Sequence, residues 1–571
     1  MGDRRRLPGA ERRLLKGYAP LALIVVALVA MVVVVPSRVP DDRLAAQGSG
    51  PAGFSEGEPA SGWGDTVTPC SDGRELQDED TEYSPPCFEF SGDNGGATAR
   101  GVTEDEILIS YRIPADTNLF ALLGQLGGVT IDADSDRLVR DAEAIVEYFN
   151  EHFEFYGRRL RLVGYQGRGQ IIPELQGAGQ DAATNDSLRV ANEIGAFADI
   201  SATSQPYADA LARNGVIALG APYLSREWFE ERRPYAWSTF PDCTAVAENS
   251  APYTNRRLLG REASYAEGDL RNRSRTMAVV APNNLEYQQC VDTFVEGLRA
   301  EGNELAERLD YTIDIATLPA TAASIISKPK SEDITTVSCA CDAIMQMYLA
   351  REAQAQDYHP EWVIAGVGFT ETDLGGQIVA NNAPEQWARA FGGSPWAAPL
   401  PPEQSVAHRA FAEVRPGEEP TDLIDIVYHQ VLVIALGVQM AGPDLTPETF
   451  EAGLFALPER TGQAGTWKFS PGRYTPVIDI REMWWDPDTI SPFNNQPGTY
   501  LDRGERWTLD EIPEGDPEVL QWGGTSGRPR ARSRSRCWSP PRCCPTSCRS
   551  AWCCAARCSA PRRASSPSAS C

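Results

Sequence analysis

The sequence predicts an α/β fold of two doubly wound, Rossmann-like lobes. Three observations predict it. A chain of 571 residues is too long for a single compact core. Short β-branched strands alternate with amphipathic helices from Gly101 onward, the pattern of a parallel sheet covered on both faces. That alternation stops near Pro241 and restarts at Thr276.

Before the alternation begins, the chain has three other textures. Residues 1–18 are basic, with six Lys or Arg in the first sixteen. Residues 19–36 hold an apolar run, Ala19 to Val35, interrupted by Pro20. The basic flank would stay cytoplasmic and direct the rest of the chain outward. Pro36, Arg38 and Pro40 crowd the positions of a cleavage site, and Cys70 is too distant for a lipid-anchoring cysteine. The expected outcome is a retained signal anchor: a single membrane pass with an extracytoplasmic body. Residues 37–100, rich in Gly, Pro, Ser and acids, read as a flexible linker in which Cys70 and Cys87 close a small loop.

The body, 101–523, starts with a strand at Ile107–Ile109. A helix comes next, with Leu138, Ala142, Ile145, Val146 and Phe149 on one face. Then come a strand at Leu160–Val163, a helix around Leu188 to Ile194, and a strand ending at Ile200. A helix from about Pro206 and a strand at Val216–Leu219 complete the first set. Pro206 suits a first helical turn, where its missing N–H costs nothing. The second set comprises a strand at Met277–Ala281, a helix over Glu286–Ala300, and strands at Tyr311–Ile315, Thr335–Cys339 and Trp362–Ala365. A helix around Met345–Ala353 separates the last two. An apolar helix, Leu423–Ala441, ends at Gly442-Pro443. The region from Gly465 to about Trp522 reads as strands and loops wrapping the second lobe. Lobe one is placed at 101–241 and 367–465, and lobe two at 242–366 and 466–523.

From Gly527 to Cys571 the chain has ten Arg, eight Cys and no acid, in near-random order. No regular ligand spacing appears there. The tail reads as an out-of-frame, disordered segment whose other frame would encode an apolar permease-like helix. Without both ends, the chain keeps 36 basic and 77 acidic residues, a net charge of −41. Such a body repels nucleic acid.

Motifs for catalysis are missing: there is no phosphate-cradling loop, nucleophile elbow or H-E-x-x-H helix. The four His are isolated. Neither metal nor cofactor is expected, and an enzyme is not. Cys243, Cys290, Cys339 and Cys341 read as structural disulfides in an exported protein, with their connectivity open. One loop stands out, Ser201-Ala202-Thr203-Ser204 ahead of Gln205-Pro206. Ligands of open parallel sheets bind beyond the carboxyl ends of strands. A helix start there offers N–H donors to an anion. The plainer reading is an N-cap.

Several segments resemble a known family. Gly101-Val102-Thr103-Glu104-Asp105-Glu106-Ile107 is similar to the mature start of the type I periplasmic solute-binding proteins of ABC importers, the branched-chain amino-acid and amide (Leu/Ile/Val-binding-like) family. Tyr148-Phe149-Asn150 with Tyr156-Gly157-Arg158-Arg159-Leu160 resembles its helix–strand joint. Thr276 to Gly302 resembles the opening of its second lobe. Tyr428 to Gly442, followed by Leu445-Thr446-Pro447-Glu448, resembles its late helix pair. The resemblance implies that Ser201, Ala202, Thr203 and Ser204 hold a ligand carboxylate, with Ala221-Pro222-Tyr223 as the neighbouring loop. It also implies a ligand cleft between the two lobes, with Tyr287 closing over the ligand and Asp342 facing the cleft. One departure is visible: where amino-acid binders place an acid for the ligand ammonium, around Gly366-Val367-Gly368, none occurs before Glu371. The implied function is capture of a small polar solute for delivery to permease and ATPase subunits. A membrane-anchored sensor of the same fold is the alternative; a hydrolase is disfavoured, because no nucleophile with its base is visible.

Overall fold

A computed structural model describes residues 67–517. The basic N-terminus, the apolar run 19–36 and the Arg/Cys-rich tail lie outside the described residues, and so do the expectations placed on them.

Strands β1 (Val67–Pro69) and β2 (Phe88–Phe90) form an antiparallel pair closed by the Cys70–Cys87 disulfide. This corrects the reading of 67–100 as a free linker. Tyr83 is 4% exposed, stacks on Trp467 at 4.2 Å and donates its hydroxyl to the Gly465 carbonyl at 2.6 Å. Phe88 and Phe90 pack on Tyr156, and the Tyr148 hydroxyl donates to Asp78 at 3.0 Å. Composition hides these few aromatic anchors. Each buries enough apolar area to hold an otherwise polar segment on the body.

The first sheet holds β3 (Glu106–Ile113), β4 (Arg159–Gln166), β5 (Ala198–Asp199), β6 (Ile217–Leu219) and β7 (Ala236–Trp237). Its order is β4-β3-β5-β6-β7, all parallel. The second sheet starts from β8 (Met277–Pro282), β9 (Glu307–Tyr311), β10 (Thr336–Cys339), β11 (Glu361–Ile364) and β12 (Ala390–Ser394). These repeat the first sheet's order, as β9-β8-β10-β11-β12, again in parallel. After a small hairpin, β13 (Arg460–Gly462) and β14 (Gly465–Trp467), two long strands extend the second sheet beyond β12. These are β15 (Ile480–Ile490) and β16 (Pro497–Trp507), both antiparallel.

β8 and β11 are buried at every position, as expected for strands covered on both faces. β9 lies four residues ahead of its expected place. It is a charged edge strand, Glu-Arg-Leu-Asp-Tyr, so it lacks the apolar run that marks central strands. The lobe boundary at 367 is also corrected. β12 pairs with β11, so the chain stays with the second sheet through Ser394. The strand is Ala-Phe-Gly-Gly-Ser, with glycines that weaken any strand signature.

The chain crosses between the sheets three times. It passes from β7 to the helix Cys243–Tyr253, from β12 to the helix Val406–Val414, and from β14 to β15. Val406–Val414 and Ile424–Ala441 both pack on the helix Ser135–His152 beside the first sheet. Ile424–Ala441 is the one helix among the described residues long and apolar enough to cross a membrane. It is buried nearly all round, and Gly442 ends it at φ +88°. An all-round apolar helix inside a large body is a core helix.

All six body cysteines pair: Cys70–Cys87, Cys243–Cys290 and Cys339–Cys341. Mass mapping under non-reducing conditions is expected to find no free thiol among them. An alkylated Cys339 or Cys341 in the native protein would contradict it.

Candidate functional site

The loops at the carboxyl ends of the two sheets face each other. On the first, β5 ends in Asp199, fully buried and surrounded by donors. Ser110 Oγ donates to it at 2.6 Å, Tyr207 Oη at 2.9 Å, Ser201 Oγ at 2.7 Å and the Ser201 amide at 2.9 Å. Burial pushes its carboxyl upward against these bonds. Ser201 Oγ also accepts from the Arg112 amide at 2.7 Å. Ser204 holds the N-cap position of the helix Gln205–Arg213, with Pro206 in the first turn, but it makes no side-chain cap bond. Its hydroxyl turns instead to Glu174.

Glu174 is held at 2.8–2.9 Å by a bidentate bond from Arg112, whose guanidinium also meets Asp186 at 3.4 Å and lies 3.7 Å above the Tyr207 ring. Two of the four expected ligand-loop residues are therefore fasteners. Their hydroxyls tie the loop to buried carboxylates. Ala202 is buried, its amide donating to Leu219, and Thr203 is half-buried outside this network.

The next loop comes after β6. Ala221 is buried, and Tyr223 adopts a left-handed φ of +54°. That turn points its hydroxyl across to the second lobe, where it donates to Glu371 at 2.6 Å. Phe369, two residues before Glu371, sits edge-on to Tyr223, Phe120 and Phe240. Here the two lobes touch through a carboxyl group and an aromatic cluster. Burial pushes the Glu371 carboxyl up to about 7.

Within Gly366-Val367-Gly368, where the acid is missing, one position excludes it on steric grounds. Gly368 is left-handed, at φ +67°, and a Cβ there would stand 2.1 Å from the Cys341 carbonyl oxygen. The first acid after this segment is Glu371.

Asp342, on the second lobe, caps the helix Ala343–Ala355 by accepting from the amides of Ile344 and Met345 at 3.0 and 2.9 Å. Its other oxygen accepts the Tyr311 hydroxyl at 2.6 Å. Tyr287, on the first turn of Leu285–Ala300, is half-buried. Burial, and then the nearby Asp342 charge, hold its phenol well above the usual range. Beside it the lobes meet again: Gln205 Nε2 donates to Glu286 Oε1 at 2.7 Å, and Gln289 donates to Glu227. The Ser201–Ser204 loop and the Tyr287 turn thus lie one hydrogen bond apart, through the residues that adjoin them in sequence. The Cys339–Cys341 and Cys243–Cys290 disulfides flank the second-lobe side.

Residues 121–483 match the model of a periplasmic binding protein. The chain belongs to that family. No curated sequence matches this periplasmic binding protein. Solved structures that it resembles include a fatty acid ABC transporter substrate-binding protein from Thermomonospora curvata, at 13% identity and a TM-score of 0.50. That likeness covers 73% of this chain and 97% of the other. Another is an R. palustris solute-binding protein in complex with 4-hydroxybenzoate, at 13% identity and a TM-score of 0.49, with 70% and 97% covered. A third is a Desulfitobacterium hafniense substrate-binding protein in complex with Leu, at 17% identity and a TM-score of 0.44, with 70% and 100% covered. At such identities the likeness is one of fold.

Proposed function

We propose that this periplasmic binding protein is the extracytoplasmic substrate-binding component of an ABC importer. It captures a small polar solute, such as an amino acid, an amide or a short carboxylate, and delivers it to permease and ATPase subunits. The observation that carries the reading is the seam between the lobes. Facing loops at the strand ends meet through Tyr223–Glu371 and Gln205–Glu286, so a solute held there contacts both lobes and favours their closed arrangement. The first lobe offers Thr203 and the free amides of the Gln205–Arg213 helix start to an anionic or carbonyl group. Half-buried Tyr287 supplies an aromatic wall, and buried Tyr223 acts by joining the lobes through Glu371. Asp342 acts through its cap and its bond to Tyr311, and Ser201 and Ser204 act by holding the loop.

Calorimetric titration against amino acids, amides and short carboxylates tests the reading. Thr203→Val is expected to weaken the best ligand by about tenfold, the worth of one hydrogen bond to a charged group. Unchanged affinity in Thr203→Val and in Tyr287→Ala would place the ligand elsewhere. A membrane sensor of the same fold would bind equally well, so uptake of labelled solute by vesicles carrying the permease separates the two.

A further inference from the structure

β3 and β8 hold the same place in their sheets, but they lead into their helices differently. From β8 the chain reaches the helix Leu285–Ala300 after Asn283 and Asn284, whereas from β3 it takes residues 114–134 to reach Ser135–His152. The longer connection folds an apolar helix of its own, Leu119–Gly127. Asn118 caps it by accepting from the Ala121 amide at 2.8 Å, and left-handed Gly128 ends it at φ +66°. A helix this short does not hold itself together in water, so its neighbours hold it.

Those neighbours are on the other lobe. The helix packs on Ala343–Ala355 and Asp373–Asn382, the helices before and after β11 of the second sheet. Leu119, Phe120, Leu122 and Leu123 are buried. Gly127 makes the closest approach: a Cβ there would stand 2.2 Å from the Ile378 side chain. Just beyond, Thr130 meets the turn between β15 and β16. Its amide donates to Gln496 Oε1 at 3.3 Å, and its carbonyl accepts from Gln496 Nε2. The same turn is fixed to the second lobe by Asn494 and Gln377, whose side chains exchange bonds of 2.7 and 3.1 Å.

Both ends of the connection stay on the first lobe. Asn118 Nδ2 donates to the Ala133 carbonyl and to Ser135 Oγ at 3.2 Å. The Asp132 amide donates to Asp422 Oδ2 at 2.7 Å, and its carbonyl accepts from the Asp422 amide at 3.1 Å. With its roots on one lobe and its apolar face on the other, the helix cannot stay seated while the lobes part. Parting them exposes that face to water, which disfavours the open arrangement.

We propose that residues 118–130 form a clasp between the lobes, which makes the closed arrangement the resting one. Gly127 and Gln496 are its positioning residues: one allows the close seat on Ile378, the other fastens Thr130. On the solute reading above, entry then waits on release of the clasp.

The test uses the whole protein without added solute. Spin labels at Asn185→Cys and Glu301→Cys, exposed positions on opposite lobes, report lobe separation as a distance distribution. The parent is expected to give one short separation. Gln496→Ala should raise the open-to-closed ratio about fivefold, the net worth of a hydrogen bond. Gly127→Ala, which drives the helix off Ile378, should raise it about tenfold. Alanine favours a helix over glycine, so opening there reports the contact and not a weakened helix. The two together should populate a longer separation. A merely structural role would lower the melting temperature without adding a second distance. Gln496→Ala with Asn494→Ala touches only half-buried turn residues and repeats the test without a change in the core. Combined variants that keep the parent's single distance, or a parent already divided between short and long separations, would overturn the proposal. No solute enters this measurement, so its outcome is separate from that of the Thr203→Val titration.

Discussion

Arg112→Met is expected to destabilise the protein by about 3–5 kcal/mol, the cost of breaking a buried ion pair from one side. Arg112 is 1% exposed, and its two carboxylate partners, Glu174 and Asp186, are equally hidden. Methionine has nearly the volume but no charge, so packing over Tyr207 is largely kept. What remains is a Glu174 carboxylate with only the Ser204 hydroxyl to stabilise it. Asp186 fares better, because it also accepts from the amides of Arg168 and Gly169 at 2.8–3.0 Å. Adding Glu174→Gln to Arg112→Met should therefore restore a good part of the loss. Urea denaturation of the parent, single and double variants checks this. A single variant within about 1 kcal/mol of the parent would show that the cluster adds little stability. The same lesion releases Glu174 from its bidentate clamp, so the Ser204 hydroxyl it accepts is held on a less fixed partner, and ligand affinity at the neighbouring helix start should fall along with stability.

That cluster also shows where the sequence stops being legible. The alternation of strands and helices is readable in one dimension, because β-branched runs and amphipathic faces are local. The restart at Met277 is equally visible, and the second sheet does repeat the first sheet's strand order. Strands of two residues, β5 and β7, and the glycine-containing β12 carry almost no local pattern. Without β12, the lobe boundary falls too early. For the proposed site, the loop Ser201–Ser204 is marked in the sequence by its place between a strand end and a helix start, and Tyr287 only by the family resemblance. Their chemistry is not, because partners such as Glu174 and Ser204, or Tyr223 and Glu371, lie 30 and 148 residues apart. Asp342 carries a local clue: an Asp directly ahead of Ala-Ile-Met is a strong N-cap signal. Glu371 is marked in the sequence only as the first acid after a Gly-Val-Gly stretch, and its contact with the other lobe needs the fold.

Glu371→Gln is expected to stabilise the protein in a pH-dependent way. The side chain is fully buried, and burial raises its carboxyl from 4.5 to about 7 against the opposing bond from Tyr223. The folded state therefore binds this proton more tightly than the unfolded chain does. Between about pH 4.5 and 7 the folded protein carries more protons at this site, so stability falls as pH rises through that window. The contribution is fully present below the unfolded value and is lost once pH passes the folded one. A shift of this size corresponds to something on the order of 3 kcal/mol. Glutamine keeps the shape and still accepts from Tyr223, yet never ionises. At pH 4.5 the variant should match the parent closely, and above pH 7 it should exceed it by that amount. Asp422, raised to about 6 by partial burial, slopes the same way in both proteins and leaves the difference between them unchanged. Denaturation curves at closely spaced pH values measure the gap. A gap that stays constant with pH would mean that Glu371 is ionised and well solvated in the folded protein, and that the seam between the lobes stands open to water.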